Sequence, residues 1–518
     1  MEYQEGFFMK QEIKDMMRQD IAAFAEKLHA FEAGAVDKKA YKGFSGGFGS
    51  YAQRNGGNML RLRMAGGRLT KERLAYVARG VEDYAIERMK LTTCQTIQLH
   101  GLNAQATVEM MEKALDVGIV TRGGGGDFPR NAMASPLSGV ERGEYFDVLP
   151  WAEAAAEYML TLVREIKMPR KLKVCFSNSP ANEVHATFRD LGFAAREDGL
   201  FDVYCAGGLG PNPMLGVKVA EGARPEDVVA YIDAMIAVFT RFGNYENRAK
   251  ARTRYLQETL GEEGLKAEFR KALTETLNTS PKLSVEPVVV AKAPDGEITH
   301  ERVVPQKQEG LYAVWYHPKG GNLPPEKPHA LYEVIKDMPG VECRIDPKGR
   351  LYIINLTARE AEAVLAVTGD SAVTPFQCSV SCIGGVICTT GIRDSQGLLM
   401  AMLEAVEEAD LPADALPTVH VSGCPSSCGT HQIGKLGFQG AAKFVDGKAC
   451  SAFYLMLNGG EKAGQERMGE PIGAVLTEEI PAFMVELGKT VAASGLGFDA
   501  WLDANEEAFR TLAAKYIG

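Results

Sequence analysis

Five of the ten cysteines crowd into two short segments, PFQCSVSCIGGVIC with Cys378, Cys382 and Cys388, and VSGCPSSCGTHQ with Cys424 and Cys428. They form C-x5-C and then, 36 positions on (424 − 388), C-x3-C. Thiolates at such spacing bind metal or do redox chemistry. Zinc knuckles read C-x2-C to C-x4-C in both halves, and the five-residue gap does not suit one. The bacterial ferredoxin run is absent, and C-x3-C-x5-C overshoots the radical S-adenosylmethionine spacing. The remaining reading is one iron–sulfur cubane held by two loops. Gly384 and Gly385 in the first, and Gly423, Pro425 and Gly429 in the second, let backbone amides approach the sulfurs and raise the reduction potential. Cys94, Cys175, Cys205, Cys343 and Cys450 stand singly and read as small packing residues.

The pair C-x5-C and GCPxxCG resembles the sirohaem and [4Fe–4S] nitrite and sulfite reductases, and the likeness runs from about residue 50 to the C-terminus. It implies cluster ligands Cys382, Cys388, Cys424 and Cys428, with Cys428 also ligating sirohaem iron and Cys378 left over. It further implies four cations over the haem face: Arg61 in NMLRLRMAGG, Arg130 in DFPRNAMASP, and Lys171 and Lys173 in MPRKLKV. Thr92, Gln98, Arg170, Asn131, Gly207 and Gly208 are the corresponding cofactor contacts. Cys94 stands where the family usually has an Arg that pairs with a cofactor carboxylate. The implied reaction is six-electron reduction of sulfite to sulfide or nitrite to ammonia, with Lys171-x-Lys173 favouring sulfite. Lys and Arg would hold the anion's oxygens and relay protons. The rival readings are an iron–sulfur electron carrier and a zinc-stapled structural protein.

The elements that must position these residues follow from the pattern. With 57 Lys and Arg against 67 Asp and Glu, the net charge is −10, and 46% of the 518 residues are hydrophobic. This is a soluble, multidomain composition that argues against a general nucleic-acid binder. The apolar run GFFM at Gly6–Met9 is too short for a signal peptide, and no stretch is long enough to span a bilayer, so a cytoplasmic protein is expected. MLRLRMAGGRLTKE from Met59 resembles AVWYHPKGGNLPPE from Ala313, an offset of 254 (320 − 66). Each copy reads strand, Gly-Gly turn and helix, then returns through TIQLHGL or RLYIINL, both of period two. Arg61 corresponds to Trp315, so one half carries chemistry and the other is structural.

The expected fold class is α+β, a three-domain sirohaem reductase architecture with a pseudo-twofold repeat of ferredoxin-like halves plus two α/β cofactor domains. Its segments are an N-terminal helical arm (1–50), the first half (51–127), an α/β sirohaem and substrate domain (128–290), the second half (300–373) and the cluster domain (374–518). PKLSVEPVVVAKAPDGE, Pro281 to Glu297, reads as a linker. NRAKARTRY predicts a basic helix with Arg248 and Arg252 on one face and Lys250 and Arg254 on another. Gly207, Gly208 and Gly210 fail the dinucleotide pattern because Pro213 stands where Gly is required, and they read as a loop against the macrocycle. No flavin or nicotinamide module is visible. The electrons are therefore expected from a separate protein; the family resemblance implies reduced ferredoxin, docked on a local basic patch, with a flavoprotein as the alternative.

Overall fold

The computed structural model describes residues 10–286 and 288–517, and Gly6–Met9, on which the signal-peptide reading rests, lies outside them. The described chain divides into two compact units. The first holds the residues up to Gly208, Met214–Tyr316 and Leu323–Gly369; the second holds Leu209–Pro213, His317–Asn322 and the chain from Asp370. Among the described residues no helix is long and apolar enough to cross a membrane.

The first unit opens with helices α1 (Gln11–Glu32) and α2 (Lys38–Ser45), whose apolar faces bury Phe24, Leu28 and Tyr41. Then come β1 (Ser50–Ala52), β2 (Asn58–Arg63), β3 (Arg68–Leu69), α3 (Lys71–Asp83), β4 (Arg88–Leu91), β5 (Thr96–Leu102) and α4 (Ala104–Asp116). The α/β segment adds β6 (Met133–Ala134), α5 (Leu149–Thr161), β7 (Val174–Ser177), β8 (Leu191–Ala195), β9 (Phe201–Cys205), β10 (Val217–Ala223), α6 (Val228–Phe242) and α7 (Leu256–Thr279). The second half supplies β11 (Val303–Pro305), β12 (Tyr312–Tyr316), β13 (Asn322–Leu323), α8 (Lys327–Ile335), β14 (Glu342–Ile345), β15 (Leu351–Leu356) and α9 (Ala358–Val367).

The 254-residue offset holds without insertion across the half: β4 begins at Arg88 and β14 at Glu342, and the cap of α4, Asn103, has its counterpart in Thr357, the cap of α9. Both caps accept a backbone N–H through the side chain, satisfying a helix-start donor. The turns agree as well. Gly66 and Gly320 have φ of 58° and 61°, and Gly67 and Gly321 have 69° and 72°, a left-handed pair that side chains resist.

This turn sends β3 out of its own half. The sheets run β1-β2-β5-β4-β13 and β11-β12-β15-β14-β3, so each half lends its short strand to the other's sheet. β3 pairs antiparallel with β14, Leu69 opposite Cys343 and Arg68 opposite Arg344. One apolar core accordingly runs through both halves, from Leu60, Ile97 and Leu99 to Val314, Ile345 and Ile353. Gln95, itself at φ 54°, ties the exchange: its Nε2 donates to Ala134 O and Ile345 O at 2.8 Å each, and its Oε1 accepts from Ala134 N. Arg68 sits at the same seam, paired with Glu342 (2.8 Å) and Glu153 (3.4 Å).

The α/β sheet of this unit has the order β10-β9-β8-β7-β6, parallel from β6 to β8 and antiparallel beyond. The second unit repeats that plan with β16 (Val380–Ser381), β17 (Val419–Ser422), β18 (Leu436–Val445), β19 (Lys448–Leu457) and β20 (Glu470–Leu476), parallel up to β18. Helices α10 (Ser395–Glu408), α11 (Ile480–Ala493) and α12 (Phe498–Ile517) contribute Leu399, Phe483 and Phe509 to its core.

One expectation fails. NRAKARTRY is not an α-helix; it forms two short 3-10 turns, Arg248–Lys250 and Thr253–Tyr255. Asn247 and Arg252 are extended, so the i,i+4 faces never form. Its cations go separate ways, Arg248 to Asp127 and Lys250 to Glu258, each across an exposed pair, and Arg252 to the fully buried Asp190.

Candidate active site

In the first unit β2 and β5 pair with Arg61 opposite Gln98, and β4 sets Lys90 on the other side of Gln98. Arg61 Nη1 donates to Gly124 O at 2.5 Å, and Arg130 reaches the same carbonyl at 3.0 Å and Gly126 O at 2.9 Å. The run Gly123–Gly126 makes this convergence possible. A Cβ on Gly124 would lie 2.7 Å from Thr121 O, and one on Gly125 would lie 2.2 Å from Gly46 O and the Tyr51 hydroxyl. That four-glycine tract precedes DFPR in the sequence, and its significance is visible only once the two guanidinium groups are seen resting on it.

Behind it Arg63 is buried, donating to Arg122 O (2.6 Å) and Arg130 O (2.9 Å). Burial together with Arg130 and Arg122 pulls its ionisation down to about 9. Arg130 is pulled down to about 10 by burial, with Arg61 and Arg252 adding to the effect. Lys173 feels the same crowd: burial, Arg189 and Arg252 lower it, while Cys94 and Asp190 act the other way. The structure thus brings Arg61, Arg130 and Lys173 into one cationic cluster and adds Arg189 and Arg252, which the motif reading did not place there. Lys171 is half-buried two residues before Lys173, on the same face of an extended segment.

The counter-charge is arranged with care. Buried Asp190 accepts from Lys173 N (2.9 Å), Arg252 Nη2 (3.0 Å) and the Thr253 hydroxyl, and these hold its carboxyl below the usual range against burial. Arg130 Nε and Arg252 Nε are nonetheless buried without a partner among the described residues. Cations this crowded, with donors left over among the described residues, could hold an anion that brings its own oxygens.

The other expected cofactor contacts are largely engaged by the protein. Asn131 Nδ2 donates to Met64 O (2.8 Å) and Cys94 O (3.2 Å), bracing the turn. The Thr92 hydroxyl shares a hydrogen bond with that of Thr96 (2.7 Å), and Arg170 pairs with Asp127 (2.9 Å). Gly207 is held close, since a Cβ there would lie 2.7 Å from Phe188 Cα, and one on Gly208 would lie 3.3 Å from Arg252 Nη2.

In the second unit the parallel pair β16 and β17 sets Ser381 opposite Val421, so Cys382 leaves one strand end beside Gly423 and Cys424 leaving the other. Cys382 N donates to Val421 O (3.1 Å), and Gly423 N donates to Cys382 Sγ (3.2 Å), an amide aimed at sulfur. Burial raises the Cys424 thiol, and Cys428 and Cys388 push it further up, which places these three sulfurs in one neighbourhood. Gly429 is required there, because a Cβ would lie 2.0 Å from Val421 O. Among the described residues no three His, Cys, Asp or Glu side chains converge tightly enough for a single metal ion. Thiolates at the corners of a cubane stand farther apart than that. Cys378 is buried, and Cys450, half-buried, donates to Lys448 O. Gln432 grips Gly210 on both sides, accepting from its N (2.9 Å) and donating to its O (2.8 Å).

The first unit carries the same construction without the sulfur. Ser135 follows β6 as Cys382 follows β16, and Ser179 follows β7 as Cys424 follows β17. Ser135 N donates to Phe176 O, and Asn178 N donates to the Ser135 hydroxyl at 3.0 Å, matching the bonds around Cys382.

Two family descriptions match the chain: the nitrite/sulfite reductase ferredoxin-like half domain over residues 51–117, and the nitrite and sulphite reductase 4Fe-4S domain over residues 125–277. The ferredoxin–nitrite reductase of Synechococcus elongatus is 26% identical over 450 residues, covering 83% of this chain and 85% of that one. The chain belongs to the nitrite and sulfite reductase family. A ferredoxin sulfite reductase of Mycolicibacterium paratuberculosis is 26% identical over 78% of this chain and 73% of its own. The sulfite reductase [NADPH] hemoprotein beta-component of Bacillus subtilis is 26% identical, covering 74% of each chain. The structure of Mycobacterium tuberculosis NirA matches with a TM-score of 0.76 at 23% identity, covering 93% of this chain and 95% of that one, which shows the shared fold. Within the family the segment named for the cluster, 125–277, contains here only Cys175 and Cys205, both fully buried. The paired loops 382–388 and 424–428 lie outside it.

Proposed function

We propose that the protein carries out the six-electron reduction of sulfite to sulfide or of nitrite to ammonia, using sirohaem and a [4Fe–4S] cluster and taking electrons from reduced ferredoxin or from a flavoprotein. The observation that carries this reading is the gathering of Arg61, Arg130, Lys173, Arg189 and Arg252 with two buried guanidinium donors left over. The donor set fits the cofactors. Cys382, Cys388, Cys424 and Cys428 would hold the cubane, and Cys428, the exposed one, would also ligate the haem iron. The macrocycle's carboxylates and the substrate would share the cations, with Gln98, Gly207 and Gly208 beside them. When bound, the coupled pair supplies single electrons in succession.

The chain's own residues do the rest. Arg61 and Arg130, locked on Gly124 O, hold the anion's oxygens in a fixed orientation. Lys173 Nζ, whose ammonium form is weakened by burial and by Arg189 and Arg252, is the group that delivers a proton to a departing oxygen. Asp190 anchors the Lys173 backbone and stops the cluster from repelling itself apart. Lys171 and Lys173 together favour sulfite. Comparing kcat/KM for sulfite and nitrite with one reduced donor tests this: a larger value for sulfite supports it, and a larger value for nitrite overturns the preference while leaving the reaction class intact.

A further inference from the structure

Cys382 leaves β16 with two hydrogen-bonding groups against its sulfur. Gly423 N donates to Cys382 Sγ at 3.2 Å, and the Ser395 hydroxyl oxygen lies 3.0 Å from the same atom. Ser395 is fully buried in the first turn of α10, one residue after the cap Asp394, whose carboxylate accepts from Gly397 N. A glycine makes the approach possible. Gly384, at φ 77°, follows Cys382 by two positions, and a Cβ there would lie 3.0 Å from Ser395 N and 3.2 Å from its hydroxyl oxygen. Thr390 offers a contrast: its hydroxyl stands 3.5 Å from Cys388 Sγ, but the residue is exposed and water competes for its hydrogen.

A serine hydroxyl has one hydrogen to give, and Ser395 has two acceptors in reach, Cys382 Sγ and Cys382 O, each at 3.0 Å. The carbonyl is supplied from elsewhere. Gln396 Nε2 donates to it at 2.8 Å, and Asn322 Nδ2, donating to Gln396 Oε1 at 2.8 Å, holds that amide in the orientation required. The Ser381 hydroxyl lies 3.1 Å from the same carbonyl oxygen. A metal-bound thiolate carries no proton and can only accept, so the Ser395 hydrogen turns to the sulfur and the carbonyl keeps its other donors.

We propose that Ser395 is a positioning residue of the iron–sulfur cluster: its hydroxyl donates to Cys382 Sγ beside the Gly423 amide, and the two donors together raise the cluster's reduction potential. An added electron makes the sulfurs more negative, and a donor aimed at one of them stabilises the reduced form more than the oxidised form. Burial strengthens the effect, because no solvent stands ready to replace the bond. The inference rests on the proposed reading of Cys382 as a cluster ligand in a reductase; the contact between Ser395 and Cys382 does not.

A redox titration of the holoenzyme, with the reduced cluster followed by electron paramagnetic resonance, tests this. At a fixed potential Ser395→Ala should show a roughly tenfold smaller ratio of reduced to oxidised cluster, a fall in midpoint of ~59 mV. Ser395→Thr keeps the hydroxyl and should recover most of that shift, and Thr390→Ala should stay close to the parent value. An unmoved midpoint in Ser395→Ala, an equal fall in Ser395→Thr or in Thr390→Ala, or loss of cluster iron from both Ser395 variants overturns the proposal. A midpoint that moves as expected in a protein that reduces neither sulfite nor nitrite keeps the role of Ser395 and loses the reductase reading. An unmoved midpoint in a protein that reduces either anion does the reverse.

Discussion

On the proposed reading, Lys173 and the two arginines divide the work at the level of single residues. Lys173→Gln should lower kcat by about a hundredfold with a smaller change in KM, because proton delivery is lost while Arg61 and Arg130 still hold the anion. Steady-state kinetics on a variant with unchanged cofactor content checks the split. Arg130→Met should act the other way, raising KM by tenfold or more, since a charged hydrogen-bond partner is worth roughly 1.5–3 kcal/mol. Glu342 offers a test of the scaffold. Burial would raise its carboxyl, but Arg344 and Arg68 prevail and hold it down to about 2, so its stabilisation is present above the unfolded value of about 4.3 and is lost as pH falls towards 2. Glu342→Gln leaves Arg68 and Arg344 short of a partner and should cost about 3 kcal/mol in denaturant unfolding at neutral pH.

At the level of elements, the Gly-Gly turns decide where β3 goes. A Cβ on Gly67 would lie 2.7 Å from Ile345 O at a φ of 69°, whereas Gly101, with φ 81°, has nothing within 4 Å. Gly67→Ala should therefore destabilise by about 3 kcal/mol or more, and Gly101→Ala by only ~1 kcal/mol, the cost of the left-handed backbone alone. Equal losses in thermal or urea unfolding would contradict the strand exchange as the reason for the turn. These elements also show what was legible beforehand. The 254-residue repeat, the period-two strands and the Gly-Gly turns were readable because each is a local pattern that matches its element's geometry. The exchange of β3 and the bracing role of Gln95 were not, because both depend on partners some 250 positions away. NRAKARTRY was misread because spacing alone favoured a helix, while Asp127, Glu258 and Asp190 drew its cations in different directions. Arg61, Arg130 and Lys173 were found through motifs; Arg189 and the floor at Gly124 needed the fold.

For the whole molecule, buried neutral histidines set the acid limit. Burial, with Arg88, Arg61 and Lys90 nearby, lowers His100 to about 3, and burial lowers His431 to about 4 against the hydrogen bond its Nε2 donates to Gln439 Oε1. Unfolding lets each bind a proton below about pH 6.5, so stability should fall with pH from there down to the folded values, by roughly 1.4 kcal/mol per pH unit for each histidine. Urea midpoints at pH 7 and pH 5 measure this, and His100→Gln should lessen the difference. Docking of an acidic ferredoxin on a chain of net charge −10 requires a local basic patch, so rates with ferredoxin should fall as salt rises. The central claim, a multi-electron reductase of a small oxyanion, is tested most directly by counting donor electrons against product. The account predicts six electrons consumed per nitrite with one ammonia formed, or six per sulfite with one sulfide. Consumption of fewer electrons per anion, or none, would contradict it.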